Sequence, residues 1–491
     1  MRKSIFLFFS AFFSVFTIAE AEIVPLEKAQ KVALNSYTQQ AEIYFKEITV
    51  SPRIENVSII TEENQPVLYK FSMTKPFGYI IVAAEDRVVP VLAFSFSIQL
   101  SEENQAPAFN WIVNSYKNEI VYARKQNNEV TREISQMWTD ALNGNFKSKN
   151  TSVVMPKTDY IKWDQGKYFN AMCPADTAAG DYLDNRVPTG CVATAMAIVM
   201  KYNAWPVTGN GSTSYTHMTI AGYSYNYGVL SANFGATTYN WSSMSGIVND
   251  YNNDIAQLML QCGVAVNMSY TPNTSGAYVG LPSTYPNATA EKAFKTYFRY
   301  PNVKFFKKSN YTDTEWKQKI KTQLDESHVI LYSGDDGSAG HAFVLDGYLG
   351  SNNDYYHFNF GWGGTSNGFF YLTSISPGSG GTGGGTYSFT QNQEGLFDLY
   401  NTTAGIESQV MEQNLTVYPN PASDFVNVDL TGFNDDVSVT IFDLNGKSVL
   451  SQNSTDNGSF QLNVSNLKNG IYQIRVSNKN QSVSQKLVIT Q

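Results

Sequence analysis

A thiol and an imidazole carry the chemistry that this chain could do. Cys191 closes Thr189-Gly190-Cys191 and stands directly ahead of the apolar run Val192 to Tyr202, which reads as a buried helix. A thiol at a helix N-terminus faces backbone N–H groups without intrahelical partners and the positive end of the macrodipole, which favour thiolate over thiol. Taken alone, such a cysteine is equally well a small apolar residue of a core helix. As a nucleophile for acyl transfer it needs a base that takes its proton and later protonates the leaving amine, a task suited to histidine near neutral pH.

The chain has four histidines. His217 in a polar loop, His328 ahead of an apolar strand and His357 among aromatics on a strand read as packed or solvated side chains. His341 differs: the turn-forming stretch Asp335 to Gly340 precedes it and the strand-like Ala342 to Gly347 follows, so it stands at a strand's mouth. If the strands His341 to Leu349 and Tyr355 to Phe360 pair through the turn Gly350 to Asp354, His341 returns opposite the Asn359-to-Trp362 segment. There the Asn359 side-chain carbonyl could orient the imidazole while the Trp362 ring shields that hydrogen bond from water. Gln165, in Trp163-Asp164-Gln165, offers a side-chain amide that could join the Cys191 backbone N–H as oxyanion donor, typically worth about 3 kcal/mol.

Several elements must position these groups. Leu26 to Tyr37 has helical spacing of apolar residues. Phe77 to Ala84 and Val88 to Phe94 flank the polar Glu85-Asp86-Arg87 and read as a hairpin on a small sheet. The stretch Trp111 to Trp138 permits helix, and Asn143 to Asn150 has linker composition, of the kind proteases cut. From about Val153 to Tyr400, helical spacing comes early, as in Ile255 to Val266, and strands come late, which fits α+β rather than alternating βαβ. After the spacer Asn401 to Asn414, short strands such as Val437 to Phe442 and Ile471 to Val476, with turns at Leu444-Asn445-Gly446 and Lys468-Asn469-Gly470, read as a small β-sandwich.

At 491 residues the chain exceeds one core. Its net charge of −8, with no Lys/Arg cluster, argues against nucleic acid as a partner. Arg2 and Lys3 precede the apolar run Ile5 to Ile18 and the small residues Ala19 and Ala21, the pattern of a signal peptide cut after Ala21. Nothing later is apolar enough to span a bilayer. Three cysteines leave at least one unpaired; Cys173 and Cys262 either form a disulfide that spares Cys191 or are both structural thiols. Gly378 to Gly383 satisfies G-x-G-x-x-G, yet strand-like Thr386 to Phe389 follows, so it is a glycine loop beside a groove and not a nucleotide site. No ligand spacing points to a metal, and no cofactor is expected.

Four blocks in register, Trp163-Asp164-Gln165 with Tyr168 to Pro174, Thr189 to Ala195, Gly340-His341-Ala342, and His357 to Gly364, resemble the streptopain family of secreted, papain-like cysteine endopeptidases. The resemblance implies Cys191 as nucleophile, His341 as general acid/base, Gln165 as oxyanion donor, and the Asn359/Trp362 strand as support for the histidine, with either residue as its orienter. Ala265 to Tyr270 with Ser275-Gly276-Ala277 resembles the family's substrate groove, and Gly340 lies beside the histidine. Ser275, Gly276 and Gly340 would then bind extended peptide, next to a hydrophobic P2 pocket. Phe360 departs from the Trp that relatives often carry. Residues from Gly78-Tyr79-Ile80 onward resemble the family's propeptide, implying a zymogen. Val417 to Ala422 and the ending Lys486 to Ile489 are similar to type IX secretion sorting domains.

The expected organisation is therefore signal peptide 1–21, inhibitory propeptide 22–150, papain-like catalytic domain 151–400, linker 401–414 and sorting domain 415–491. The expected fold is α+β: a helical half and an antiparallel sheet half, behind a small α+β propeptide and ahead of a β-sandwich. The expected function is a secreted or surface cysteine endopeptidase, exported through the periplasm. Its partners would be protein substrates, its own propeptide and the secretion machinery. Two alternatives are an acyltransferase of transglutaminase type, with Asp346 as acidic third residue, and an inactive surface adhesin.

Overall fold

The computed structural model describes residues 22–45, 50–100, 105–126, 130–145, 153–217, 225–280, 288–335, 340–349, 355–372 and 393–401, and then 415, 417–430, 437–443, 447–454, 458–478 and 482–490. The signal peptide, residues 146–150 of the linker, the turns 350–354 and 444–446, the glycine loop 378–383 and the spacer 402–414 lie outside the described residues. The chain divides into two compact units, 1–402 and 403–491.

The first unit opens with α1 (Leu26–Phe45), whose buried Ala29, Val32, Ala33, Tyr37 and Ala41 follow the three-and-four spacing of one helix face. Four strands follow, β1 (Arg53–Glu62), β2 (Gln65–Thr74), β3 (Gly78–Ala83) and β4 (Val91–Ser95). Every residue of β3 and β4 is buried, the mark of strands covered on both faces. The helix-permissive stretch becomes α2 (Pro107–Gln126), with proline at its first position, and α3 (Arg132–Asn143), which Thr131 caps through Ile134 N.

Beyond the linker come α4 (Cys191–Asn203), β5 (Ser212–Thr216), β6 (Val229–Asn233), α5 (Asn253–Ala265), β7 (Ser269–Tyr270), β8 (Ser275–Gly276) and α6 (Ala290–Thr296). Then follow β9 (Lys304–Lys307), α7 (Asp313–Asp325), β10 (Ile330–Asp335), β11 (Gly340–Leu349), β12 (Tyr355–Asn359), β13 (Gly368–Tyr371) and β14 (Glu394–Phe397). After α7 the strands β10 to β14 follow with no helix between them among the described residues, in keeping with the α+β reading.

One antiparallel sheet of ten strands, in the order β1-β2-β3-β4-β13-β12-β11-β10-β14-β9, runs through both parts of this unit. Its seam is β4 against β13, where Phe94 faces Phe369 and Ala93 faces Phe370. The hairpin expected on a sheet of its own thus continues the sheet that carries His341. Alternate residues go to opposite faces. Leu331, Val344 and Leu396 join the core under α4 and α5, whereas Tyr332, Leu345 and Phe397 join the core shared with Phe94, Tyr116 and Trp138.

The second unit consists of a three-stranded and a four-stranded antiparallel sheet around one core that includes Val426, Val428, Val439, Ile441, Ile474 and Leu487. Val437–Phe442 alternates buried and half-buried residues, the period-two pattern of a sandwich strand.

Candidate active site

Cys191 is the first residue of α4, and Val192 to Met200 behind it are all buried, so the helix is anchored in the core on every side. Gly190 before it holds φ at 88°, and a Cβ there would lie 2.8 Å from the Met268 sulfur and 2.9 Å from Ser275 O. Glycine therefore lets the β7–β8 hairpin close on the helix start. No side chain caps this N-terminus. Burial raises the Cys191 pKa above its ordinary 9.0, and the opposing pull of the Ala342, Val192 and Cys191 backbone N–H groups is smaller. Desolvation thus opposes the bias toward thiolate expected from the helix terminus.

Ala342, whose N–H reaches the sulfur, directly follows His341, which pairs with Gly334 across β10 and β11. A cleft of about 830 Å³ has Gln165, Cys191, Ser275, Gly276, Gly340, His341 and Trp362 in its walls. Gln165 is fixed in a turn because Asp164 Oδ1 accepts the N–H groups of Gln165 (2.5 Å) and Gly166 (3.0 Å), while Gln165 O accepts Thr189 N–H at 2.9 Å. That last bond ties it to the segment entering Cys191.

Asn359 is not in this cleft. It pairs with Val344, three residues beyond His341, at the end of β12. The Asn359 amide donates to Thr158 O (2.9 Å) and Ile161 O (3.0 Å), and its carbonyl accepts Gly361 N–H (3.1 Å). Its hydrogen-bonding capacity ties the 158–161 segment to β12, which corrects the expectation that its carbonyl orients the imidazole. Trp362 is the member of that pair that lines the cleft together with His341.

Asp346 is likewise engaged elsewhere. Its Oδ1 pairs with His357 Nδ1 at 2.6 Å, and its Oδ2 accepts both Thr158 N–H and Thr158 Oγ1–H at 2.6 Å. The acidic third residue that a transglutaminase-type site needs is thus held by a different histidine. Because Asp346 is fully buried, Asp346→Ala leaves His357 and Thr158 without their partner and is expected to destabilise the fold by about 3–5 kcal/mol. Thermal denaturation of the full chain measures this; an unchanged midpoint would contradict the structural role. His217 accepts Tyr270 N–H at 3.0 Å, and His328 stacks on Tyr400, so both are packing groups.

Cys173 and Cys262 are buried free thiols, so no disulfide joins them. Burial pushes the Cys173 pKa up to about 12 and that of Cys262 higher still. Unfolded thiols lose their protons first, so stability is full below the ordinary pKa near 9.0 and falls as pH rises above it. The expected loss is about 1.4 kcal/mol per pH unit per thiol, read from urea midpoints between pH 8 and 10. Cys173→Ala should flatten the slope.

Three residues of the N-terminal part, Ala106, Pro107 and Ala108, also line the cleft. They enter α2, which Ala106 N–H to Ser366 Oγ (3.3 Å) and Tyr116 O–H to Tyr371 O (2.7 Å) fasten to the sheet. Sequence reasoning missed these residues, along with Glu394 and Val279 in the same cleft. Among the described residues no cluster of His, Cys, Asp and Glu could hold a metal ion, and no helix is long and apolar enough to cross a membrane.

A cysteine at a helix start and a histidine on an antiparallel sheet in one cleft, which Ala106 to Ala108 of the N-terminal part also line, is the arrangement of a papain-like cysteine peptidase domain. Residues 163–370 match the Peptidase C10 family, residues 21–120 the Spi protease inhibitor family, and residues 416–490 the secretion system C-terminal sorting domain. The catalytic domain belongs to the peptidase C10, or streptopain, family of cysteine-type endopeptidases, here behind an inhibitor domain and ahead of a sorting domain of secreted and cell-surface proteins. The thiol protease/hemagglutinin PrtT of Porphyromonas gingivalis is 29% identical over 81% of this chain, which spans 44% of that protein's length. Streptopain of Streptococcus pyogenes is 27% identical over 71% of this chain and 84% of its own. A fragment of prointerpain A from Prevotella intermedia, in a mutant form, aligns with a TM-score of 0.54 at 28% identity, over 71% of this chain and 99% of the fragment.

Proposed function

We propose that this chain is a secreted cysteine endopeptidase made as a zymogen, with Cys191 and His341 as its catalytic pair. The observation that carries this reading is the cleft that holds both residues and is also lined by Ala106 to Ala108 of the inhibitor domain. His341 takes the Sγ proton as Cys191 attacks the scissile carbonyl carbon, forming the C–S bond. The carbonyl oxygen becomes an oxyanion held by the Cys191 N–H and the Gln165 side-chain amide. The imidazolium then protonates the departing amine as the C–N bond breaks, leaving a thioester. Water, deprotonated by His341, releases the acid and restores the thiol. Trp362 shields the imidazole and keeps it in place.

Ser275, Gly276 and Gly340 hold the substrate as an extended strand through their backbone groups. The apolar wall of Ala277, Val279 and Ala342 favours a bulky apolar P2 side chain. A signal peptide of residues 1–21 directs export through the periplasm, the propeptide leaves after a cut near residue 150, and residues 415–491 address the product for release or surface attachment. Incubating the full chain beside Cys191→Ala tests this. The wild type alone should trim itself near residue 150, seen by N-terminal sequencing, and then digest casein. If neither changes and added protease elicits no activity, the peptidase reading fails and a binding protein remains.

A further inference from the structure

The β7–β8 hairpin has two residues in each strand, and among the described residues no third strand lies beside β7. Thr271 N–H donates to Thr274 O at 3.0 Å, so that pair is hydrogen-bonded, and in an antiparallel ladder the next pair, Tyr270 with Ser275, is not. The backbone groups of Tyr270 and Ser275 therefore point outward from opposite edges of the hairpin. On the Ser275 edge lies the cleft, which Gly276 and Ala277 also line. The rear edge is met by side chains of β5. Tyr215 donates its O–H to Met268 O at 2.7 Å, and His217, directly after β5, accepts Tyr270 N–H on Nε2 at 3.0 Å. Tyr215 and His217 are two residues apart and share one face of their strand, matching the two-residue step from Met268 to Tyr270. One donor and one acceptor thus stand in for a neighbouring strand.

We propose that Tyr215 and His217 are positioning residues for the substrate: by bracing the rear edge of the β7–β8 hairpin they set the Ser275 edge along which an extended peptide pairs. The inference rests on the peptidase reading above and adds to it what holds the substrate-binding strand in place. A hairpin of this size has little stability of its own. The buried side chains of Met268 and Tyr270 fix its depth in the core, and the two edge bonds fix its position in the plane of the strands. His217 is only 3% exposed, and its ring lies 4.8 Å from that of Tyr227 and 6.2 Å from that of Tyr270, packing that aims Nε2 at the hairpin. Burial lowers its pKa below the ordinary 6.5, against a smaller opposing pull from backbone groups of Tyr270 and Tyr225, and so favours the neutral imidazole that can accept.

The test uses the full chain matured by an added protease and two substrates: a fluorogenic peptide spanning P3 to P1, and p-nitrophenyl acetate, which reacts at Cys191 without reaching the hairpin. His217→Ala leaves a buried N–H without its acceptor and should raise KM for the peptide by about tenfold, with kcat changed by less than about twofold. Tyr215→Phe, which keeps the ring, should raise KM by about fivefold. His217→Gln, whose side-chain carbonyl reaches the Nε2 position, should recover most of the loss. Hydrolysis of p-nitrophenyl acetate should be the same in all of them. A fall in kcat at unchanged KM, or equal losses on both substrates, overturns the inference, because either places the disturbance at Cys191 and not at the substrate edge. Should His217→Ala not fold, Tyr215→Phe decides by the same split. Peptide cleavage with KM unmoved in the variants defeats the brace alone, whereas a wild type that cleaves no peptide defeats the peptidase reading.

Discussion

Replacing Cys191 by alanine is expected to lower kcat/KM for peptide cleavage by about ten-thousandfold or more, and His341→Ala should do nearly the same, because nucleophile and base act as a unit. The double variant should be no worse than either single one. Gln165→Ala removes one oxyanion donor and should reduce kcat by roughly a hundredfold to a thousandfold. Asn359→Ala separates the two kinds of residue in this region. Its side chain bonds Thr158, Ile161 and Gly361, so it should lower the melting temperature far more than it lowers kcat of the surviving folded enzyme. Steady-state kinetics on variants matured by an added protease, with thermal denaturation for Asn359→Ala, measures all five. Retention of wild-type cleavage by Cys191→Ala would remove the thiol from the mechanism.

The parts of the site legible in the sequence are those with a local signature. The apolar run after Cys191 became α4, and the runs on either side of residues 350–354 became the antiparallel pair β11 and β12. The two runs around Glu85 to Arg87 became β3 and β4, as their uninterrupted apolar character required. What escaped depends on pairing between distant segments. Nothing local to Phe94 says that it meets Phe369, although that seam fuses the propeptide to the catalytic sheet. Glu394 reads as an ordinary polar residue until its strand is placed beside Ser333. Asn359 was misjudged because its spacing from His341 was right to within a few residues, while its side chain had partners in a loop far earlier in the chain. At Cys191 the helix-end electrostatics can be read from sequence, whereas the burial that opposes it cannot.

The grip of the propeptide should be breakable at one contact. Gly334 pairs with His341, and a Cβ on it would lie 2.5 Å from the tip of the Trp111 indole, far inside van der Waals contact. Trp111 belongs to α2, is only 5% exposed, and is rigid, so a methyl group at Gly334 must displace the helix rather than a flexible side-chain end. Overpacking of this kind costs about 1–3 kcal/mol, which weakens the hold on the cleft by roughly tenfold to a hundredfold. Gly334→Ala should therefore shorten the half-time of self-processing, followed by gel. Trp111→Ala should also hasten it by emptying the same contact, with truncation of a buried aromatic costing about 3–5 kcal/mol. Because one contact underlies both effects, they cannot add: in the Trp111→Ala background, Gly334→Ala should change the half-time little. Additive effects would mean that the methyl group acts on the cleft itself, and unchanged half-times in both single variants would mean that the propeptide is held by the β4–β13 seam instead.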